Sequence, residues 1–319
     1  MSTIKDVAKL AGVSISTASL ALNNHPHVLP ETRKKIMEAA SSLNYYPHAA
    51  ARNLKTKRTL NIGVFIYAFG GPVFPDILEG IRQALHEQGF NIIVSSGRSS
   101  VNFIKEKQID GAIIFDSHIT DDMIKLHASS GMPIFVLDRH LSGKNIYSSL
   151  IDNEGLMSML IEKLIANGYK DFSYVSGPEH AFNNVMRESA FIKTLKRYHI
   201  KPQKRFYGDF TIEGGYQAGM KMMNEKVLPE VAVCANDESA IGLIKAFHDK
   251  GLRVPNDIKV TGFDHILLSD LLEPLLTTVS IDHFAWGNEV ASALVSIIKG
   301  YSLEHIPKPQ GKLLMRTSA

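Results

Sequence analysis

Apolar positions follow two different rhythms along this chain, and the change falls near residue 60. Up to Leu43 they keep helical spacing: Ile4, Val7, Ala8 and Ala11 share one face, Ala18, Ala21 and Leu22 a second, and Ile36, Ala39, Ala40 and Leu43 a third. Thr3 and Asp6 have the spacing of a capping box, Gly12 permits a sharp turn, Ser14 suits an N-cap, and Pro30-Glu31 open the third segment. The pattern predicts three short helices, the first two joined by a glycine-containing turn as in a helix-turn-helix. From Leu60 onward the rhythm is that of strands alternating with helices. Apolar bursts occur at Leu60–Ile66, Asn91–Ser95, Gly111–Phe115, Pro133–Leu137, Phe172–Ser176, Val231–Ala235 and Lys259–Gly262. Between and after them lie helical stretches at Asp76–Gln88, Asp121–Ser129, Glu154–Asn167, Asn184–Tyr198, Glu213–Asn224, Glu238–Asp249 and His283–Lys299. Such alternation predicts an α/β body of two doubly wound parallel-sheet lobes, with a ligand crevice at the carboxyl ends of the strands. Ser95 to Asp110 leaves room for only a short helix.

Charge sharpens the division. Through Thr59 there are nine Lys or Arg against three acids; the remainder carries 26 against 29, so a formal total of +3 hides a strongly basic head on a mildly acidic body. Basic charge coinciding with a helix-turn-helix pattern is the footprint of phosphate contacts, whose strength falls steeply with salt. On the second helix Ile15, Ser16, Ser19 and Leu20 face away from the apolar side. Leucine cannot make the bidentate contact to guanine that Arg or Lys makes. Base selection must then lean on apolar contact of Ile15 or Leu20 with thymine methyls, on hydrogen bonds from Ser16, and on DNA deformability. If Leu20 is instead buried, Ile15 and Ser16 carry it. Pro47 interrupts the third helix, and His48–Leu54 forms an alanine-rich segment too short to hold a helix unaided in water.

Other chemistry is sparse. At 319 residues, 45% of them hydrophobic, the chain is long enough for a head and two further lobes. No apolar run has membrane-spanning length, and MSTIKDVAKL places charges where a signal peptide needs an apolar core, so a cytoplasmic, nucleoid-associated protein with no membrane partner is expected. The single cysteine, Cys234, sits in the apolar run VAVCA and reads as core. Thirteen histidines show no H-E-x-x-H spacing, and neither a phosphate loop nor a strand-linked G-x-G-x-x-G occurs. Neither a metal nor a cofactor is expected. An enzyme with a basic appendage would need a nucleophile with its base, and a transport-type binding protein would need a secretion signal.

Thr3–Ser14 (TIKDVAKLAGVS), then LNYYPHAAARNLKTKRT, and later Asp138-Arg139, Cys234-Ala-Asn-Asp237, Gly262-Phe-Asp264 and Leu276-Thr-Thr-Val279 together resemble the LacI/GalR family of bacterial transcription regulators over essentially the whole chain. The resemblance implies a DNA-binding domain at 1–46, a hinge helix and linker at 47–59, and a periplasmic-binding-protein-like effector-binding and dimerisation body at 60–319. It places an N-lobe at about 60–152 and 283–308 and a C-lobe at about 153–281 and 312–319. The chain would cross between them near Asp152–Asn153, Ile281–His283 and Lys308–Lys312. The DNA-binding positions are then Thr3, Ser14, Ile15, Ser16, Thr17, Ser19, Leu20, Asn23 and Thr32 in the head, with Ala51, Leu54 and Lys55 in the hinge. Leu54 would wedge into the central minor-groove step of the operator, bending the duplex; the other reading makes it a linker residue packed on the body.

Strand-end residues are where a cleft ligand is held. Asp138 and Arg139 follow FVL, Asn236 and Asp237 follow VAVCA, and Asp264 follows VTGF. Carboxylates and amides accept from hydroxyls and arginine donates, which suits a polyhydroxylated molecule; alternatively Asp138 and Asp264 cap the helices after them, and Asp237 reads as such a cap. The resemblance adds Arg187 as the cleft arginine and Phe74 as a wall able to stack on a sugar face or a base. The effector expected is a sugar or sugar phosphate, with a nucleobase-like corepressor or a phosphoprotein partner as lesser readings. Other expected partners are an approximately palindromic double-stranded operator and a second copy of the chain, a homodimer rather than a tetramer because no leucine heptads precede Ala319.

Overall fold

The computed structural model describes residues 2–23, 25–46 and 58–319. The chain divides into two compact units between Thr59 and Leu60. Three helices make the first: α1 (Ile4–Ala11), α2 (Ile15–Leu22) and α3 (Pro30–Ser42). Local chemistry defines their ends. The Asp6 carboxylate accepts from both the backbone N–H and the hydroxyl of Thr3, each at 2.8 Å, which holds its pKa below the usual range. Gly12 closes α1 at φ 66°, a left-handed conformation that costs glycine nothing. The Ser14 hydroxyl accepts from the Thr17 N–H at 3.0 Å. Val7, Ala8, Ala18, Ala21, Val28, Ile36, Ala39 and Ala40 form the core. Small residues at the centre let three short helices approach closely enough to close around one another.

In the second unit, five parallel strands alternate with helices: β1 (Asn61–Ile66), α4 (Phe74–Glu87), β2 (Asn91–Ser96), α5 (Val101–Lys105), β3 (Gly111–Phe115), α6 (Asp121–Ser129), β4 (Ile134–Val136) and β5 (Ile146–Ser148), in sheet order β2-β1-β3-β4-β5. The chain then builds a second lobe from α7 (Asn153–Ala166), β6 (Phe172–Ser176), α8 (Phe182–Arg197), β7 (Arg205–Tyr207), α9 (Ile212–Met222), β8 (Val231–Cys234), α10 (Asp237–Asp249) and β9 (Lys259–Thr261). Its parallel sheet runs β7-β6-β8-β9. In both sheets the first strand lies between the second and third, so the order reverses there and leaves a crevice at the strand ends. β5 and β7 are absent from the apolar pattern of the sequence because each buries only one of its three residues. α5 is the short helix that Ser95–Asp110 allows. It leaves β2 only half-buried, whereas β1 is buried beyond Asn61.

Three passages join the lobes. The first runs through Ile151–Asn153. The second and third pair as antiparallel strands, β10 (Thr278–Ile281) with β11 (Gly311–Leu314), and between them α11 (His283–Ile298) returns to the first lobe. There it packs against α4 at backbone distance. A Cβ on Gly80 would lie 2.1 Å from the Phe284 carbonyl oxygen, and one on Gly287 2.2 Å from that of Ile77. The passages are tied together: the Trp286 indole N–H donates to the Ser149 hydroxyl at 2.7 Å, and that hydroxyl donates to the Pro307 carbonyl at 2.6 Å.

Candidate functional site

In the head, α2 buries Ala18 and Ala21 and turns Ile15 (47% exposed), Ser16 and Leu20 (36% exposed) outward. Leu20 lies outside the head core, which removes the reading in which it is buried. Other expected contact residues serve the helices first. The Ser14 and Thr17 hydroxyls bond to one another at 2.8 Å, the Thr3 hydroxyl is held by Asp6, and the Asn23 amide donates to the Ser19 carbonyl at 2.8 Å. Ser19 and Thr32 are half-buried. Arg33, part of the basic string of α3, donates to the Ala21 and His25 carbonyls at 3.3 and 2.6 Å, so it caps the end of α2. Ala51, Leu54 and Lys55 lie outside the described residues. What α2 presents is a small apolar and hydroxyl-bearing ridge able to meet thymine methyls and acceptor edges in a major groove.

The body places its polar groups where the lobes join. Arg187, on α8, is buried with 2% exposure. Its Nε donates to Asn153 Oδ1 at 2.8 Å, Nη1 to the Ala235 carbonyl at 2.7 Å and Nη2 to Asp264 Oδ1 at 3.1 Å, while the guanidinium lies 3.6 Å over the Phe263 ring. One side chain thus binds the first passage between lobes, the end of β8 and the loop after β9. Asp264 sits at φ 112°, unusual for a residue with a side chain, and its 3.1 Å ion pair with Arg187 accompanies that strained backbone. Burial raises the Asp264 pKa and Arg187 opposes the rise. Burial, then Asp264, raises Glu238; burial, then Glu238 and Asp264, raises Tyr67. Tyr67 follows β1 in the first lobe, so its response to two carboxylates of the second lobe puts it across the crevice from them.

Across the crevice, Asp138 is buried enough for its pKa to rise despite Arg139 beside it. Arg139 is engaged within its own lobe: Nη1 donates to both Asp138 oxygens at 2.9 and 2.8 Å, Nε to Asp121 at 2.8 Å, and Nη2 to the Ile119 carbonyl. Arg139 thereby orients Asp138, the neighbouring candidate for ligand contact. Phe74 needs correcting as a stacking wall. It is 2% exposed, with Tyr67 and Phe115 edge-on at 5.2 Å, and half-exposed Tyr67 stands nearer solvent. Asn236 has both ends of its amide occupied, Oδ1 accepting from Ser239 N–H at 3.1 Å and Nδ2 donating to the Phe210 carbonyl at 2.9 Å. It is the N-cap of α10, the role expected of Asp237. Asp237 instead lies inside the first turn, fully buried, accepting from Ile266 N–H, Ser269 Oγ and Thr278 Oγ1, and burial pushes its pKa up to about 6. Helix α10 begins one residue earlier than its apolar pattern suggests, and that shift exchanges the two roles.

The structure adds residues that sequence reasoning did not single out. Asp116, after β3, is fully buried and accepts from the His118 backbone at 2.9 Å and its ring Nδ1 at 2.7 Å, leaving Oδ2 without a partner among the described residues. The strand-end rule that found Asp138 would have found it. Asn153 and His283 stand at lobe passages, and only tertiary contacts give them significance. No group of three or more His, Cys, Asp or Glu able to hold a metal occurs among the described residues, and no described helix is long and apolar enough to cross a membrane.

Known proteins share both parts of this architecture. Residues 3–48 match the bacterial regulatory proteins of the lacI family, and residues 161–318 match the periplasmic binding protein-like domain. The HTH-type transcriptional repressor PurR of Histophilus somni is 32% identical over 96% of this chain and 95% of its own length. A Lac repressor dimer bound to operator and the anti-inducer ONPF superposes with a TM-score of 0.87 at 28% identity, over 99% of this chain and 98% of that one. The transcriptional regulator CelR in complex with cellobiose superposes with a TM-score of 0.72 at 25% identity over the full length of both. Helix-turn-helix head, paired parallel-sheet lobes and relatives along the whole length agree: the chain belongs to the lacI family of bacterial regulatory proteins, and it is a DNA-binding transcription regulator, not an enzyme.

Proposed function

We propose that this regulator is a homodimeric repressor of carbohydrate-utilisation genes, acting in the cytoplasm on the nucleoid, whose operator affinity is set by a sugar or sugar phosphate in the cleft between the body's lobes. The observation that carries the effector site is Arg187, a buried cation tied at once to the first lobe passage, a strand end and Asp264. A ligand meeting Asp264 or Asp138 alters the groups that hold the lobes at their present angle. Two relatives support the reading: one is solved as a dimer on operator with an anti-inducer, the other with cellobiose. Residues 1–46 read the operator through Thr3, Ser14, Ile15, Ser16, Thr17, Ser19, Leu20, Asn23 and Thr32. Residues 47–59 act as the hinge, with Ala51, Leu54 and Lys55 at the centre of the site. Two-fold symmetry places half-sites about one helical turn apart, ~34–36 Å. A coupling of about 1–3 kcal/mol would change operator affinity roughly 5–150-fold.

Fluorescence anisotropy of the full chain on palindromic promoter fragments, against bulk competitor DNA and with salt varied, tests the reading. The expected outcome is salt-sensitive, site-preferring binding that one sugar or sugar phosphate shifts; equal affinity for all DNA with every ligand tried overturns it. Leu54→Ala should weaken specific operator binding while sparing the salt-driven component, and an equal loss on random DNA would rule out the wedge.

A further inference from the structure

His283 opens α11 at the second passage between the lobes, and only 6% of its surface is exposed. Neither ring nitrogen has a hydrogen-bond partner among the described residues. A buried polar atom is ordinarily paired, and an imidazole with both nitrogens unpaired is a marked exception. Three charged groups act on the ring: Arg187 from α8, Asp76 from α4 and Asp282 beside it on the chain. Trp286 lies one turn on, its ring 6.4 Å away. Asp76 and Trp286 belong to elements of the first lobe and Arg187 to the second, so groups of both lobes act on the imidazole at the passage between them.

The charges define what the ring can recognise. Arg187 already spends its charge on Asp264. Burial first, and Arg187 second, hold the His283 pKa down to about 4, so at neutral pH the imidazole is uncharged and carries one donor and one acceptor.

We propose that His283 is a specificity-determining residue of the cleft whose neutral imidazole exchanges hydrogen bonds with hydroxyl groups of an uncharged, polyhydroxylated effector. This rests on the effector-cleft reading above and narrows it from sugars and sugar phosphates to neutral sugars. A hydroxyl both donates and accepts, which matches the two nitrogens. A carboxylate or phosphate only accepts, satisfies one of them, and would have to lie near the carboxylates of Asp76 and Asp282.

The test is isothermal titration of the full-length protein at pH 7.5 with cellobiose, ribose, galacturonate and glucose 6-phosphate, repeated with His283→Phe and His283→Gln. Phenylalanine keeps the ring and removes both nitrogens; glutamine keeps one donor and one acceptor. A neutral sugar should bind the wild type, weaken about tenfold or more in His283→Phe and recover in part in His283→Gln, with an affinity that stays flat between pH 6 and 8. Tenfold corresponds to about 1.4 kcal/mol, the scale of one good hydrogen bond. A sugar that binds the wild type and His283→Phe alike overturns this inference and leaves the cleft reading standing. Preference for galacturonate or glucose 6-phosphate, growing as pH falls from 7.5 to 5.5, identifies an imidazolium–anion contact and also overturns it. If none of the four binds, both this inference and the carbohydrate reading fall. Should His283→Phe not fold, His283→Leu carries the same comparison.

Discussion

Both lobes of the body set an aspartate and an arginine at the cleft end of a parallel sheet with the same strand order, yet the two pairs are built differently. In the first lobe Asp138 and Arg139 are chain neighbours, each partly exposed, and Arg139 spends its remaining donors on Asp121 and Ile119 in that lobe. In the second lobe Arg187 and Asp264 are 77 residues apart, the arginine is buried, and its other donors reach the lobe passage and the end of β8. The first pair is local furniture that aims one carboxylate. The second joins three separate stretches of chain, so whatever perturbs it perturbs the lobe junction. A buried ion pair owes its worth to being complete: removing one partner leaves the other charge dehydrated and unpaired.

Breaking the pairs one at a time tests that contrast, and the largest effect belongs to the buried one. Arg187→Ala should destabilise the body by about 3–5 kcal/mol in denaturant unfolding, since it strands Asp264, Asn153 Oδ1 and the Ala235 carbonyl together; a loss below about 1 kcal/mol would mean the junction is held by other contacts. A smaller effect should appear as pH dependence. The folded-state pKa of His283 is depressed to about 4 from an ordinary value of 6.5. Between these values the unfolded chain binds the proton and the folded one does not, so stability on this account is lost as pH falls from 6.5 towards 4. Comparing wild type with His283→Phe by thermal or urea unfolding across that range should show the variant gaining on the wild type as pH falls, by about 2–3 kcal/mol at the acid end. A constant difference would contradict the buried neutral imidazole. Smallest, Arg139→Ala should cost about 1–2 kcal/mol, because Arg139 is itself partly exposed and its partners all lie in its own lobe. A cost equal to that of Arg187→Ala would erase the distinction between the lobes.

A similar contrast separates the head from the body. The helix ends of the head are set by contacts three or four residues apart, such as Thr3 with Asp6, Ser14 with Thr17 and Asn23 with Ser19. Spacing in the sequence is therefore nearly the same information as geometry, and its three helices could be read directly. In the body, long apolar bursts announced their strands, but β5 and β7 are edge strands with a single buried residue each and carry no pattern. The capping of α10 by Asn236 in place of Asp237 turned on a boundary one residue away, within the scatter that propensity leaves at helix ends. The engagement of Arg139 and the burial of Phe74 were invisible because residue type does not say which neighbour fills a donor or covers a ring.

By itself the sequence determined the basic three-helix head, the alternating body, and the strand ends at which a cleft would hold its polar groups. Those follow from periodicity, capping chemistry and charge, all of which act over a few residues. Only the tertiary structure decided that Arg187 binds three distant stretches of chain, that Arg139 is confined to its own lobe, that Asp237 is walled in, and that His283 stands unpaired at the junction. Burial and pairing are properties of groups brought together from distant positions, 77 residues apart for Arg187 and Asp264 and 158 for Ser149 and Pro307, and no local pattern carries that information.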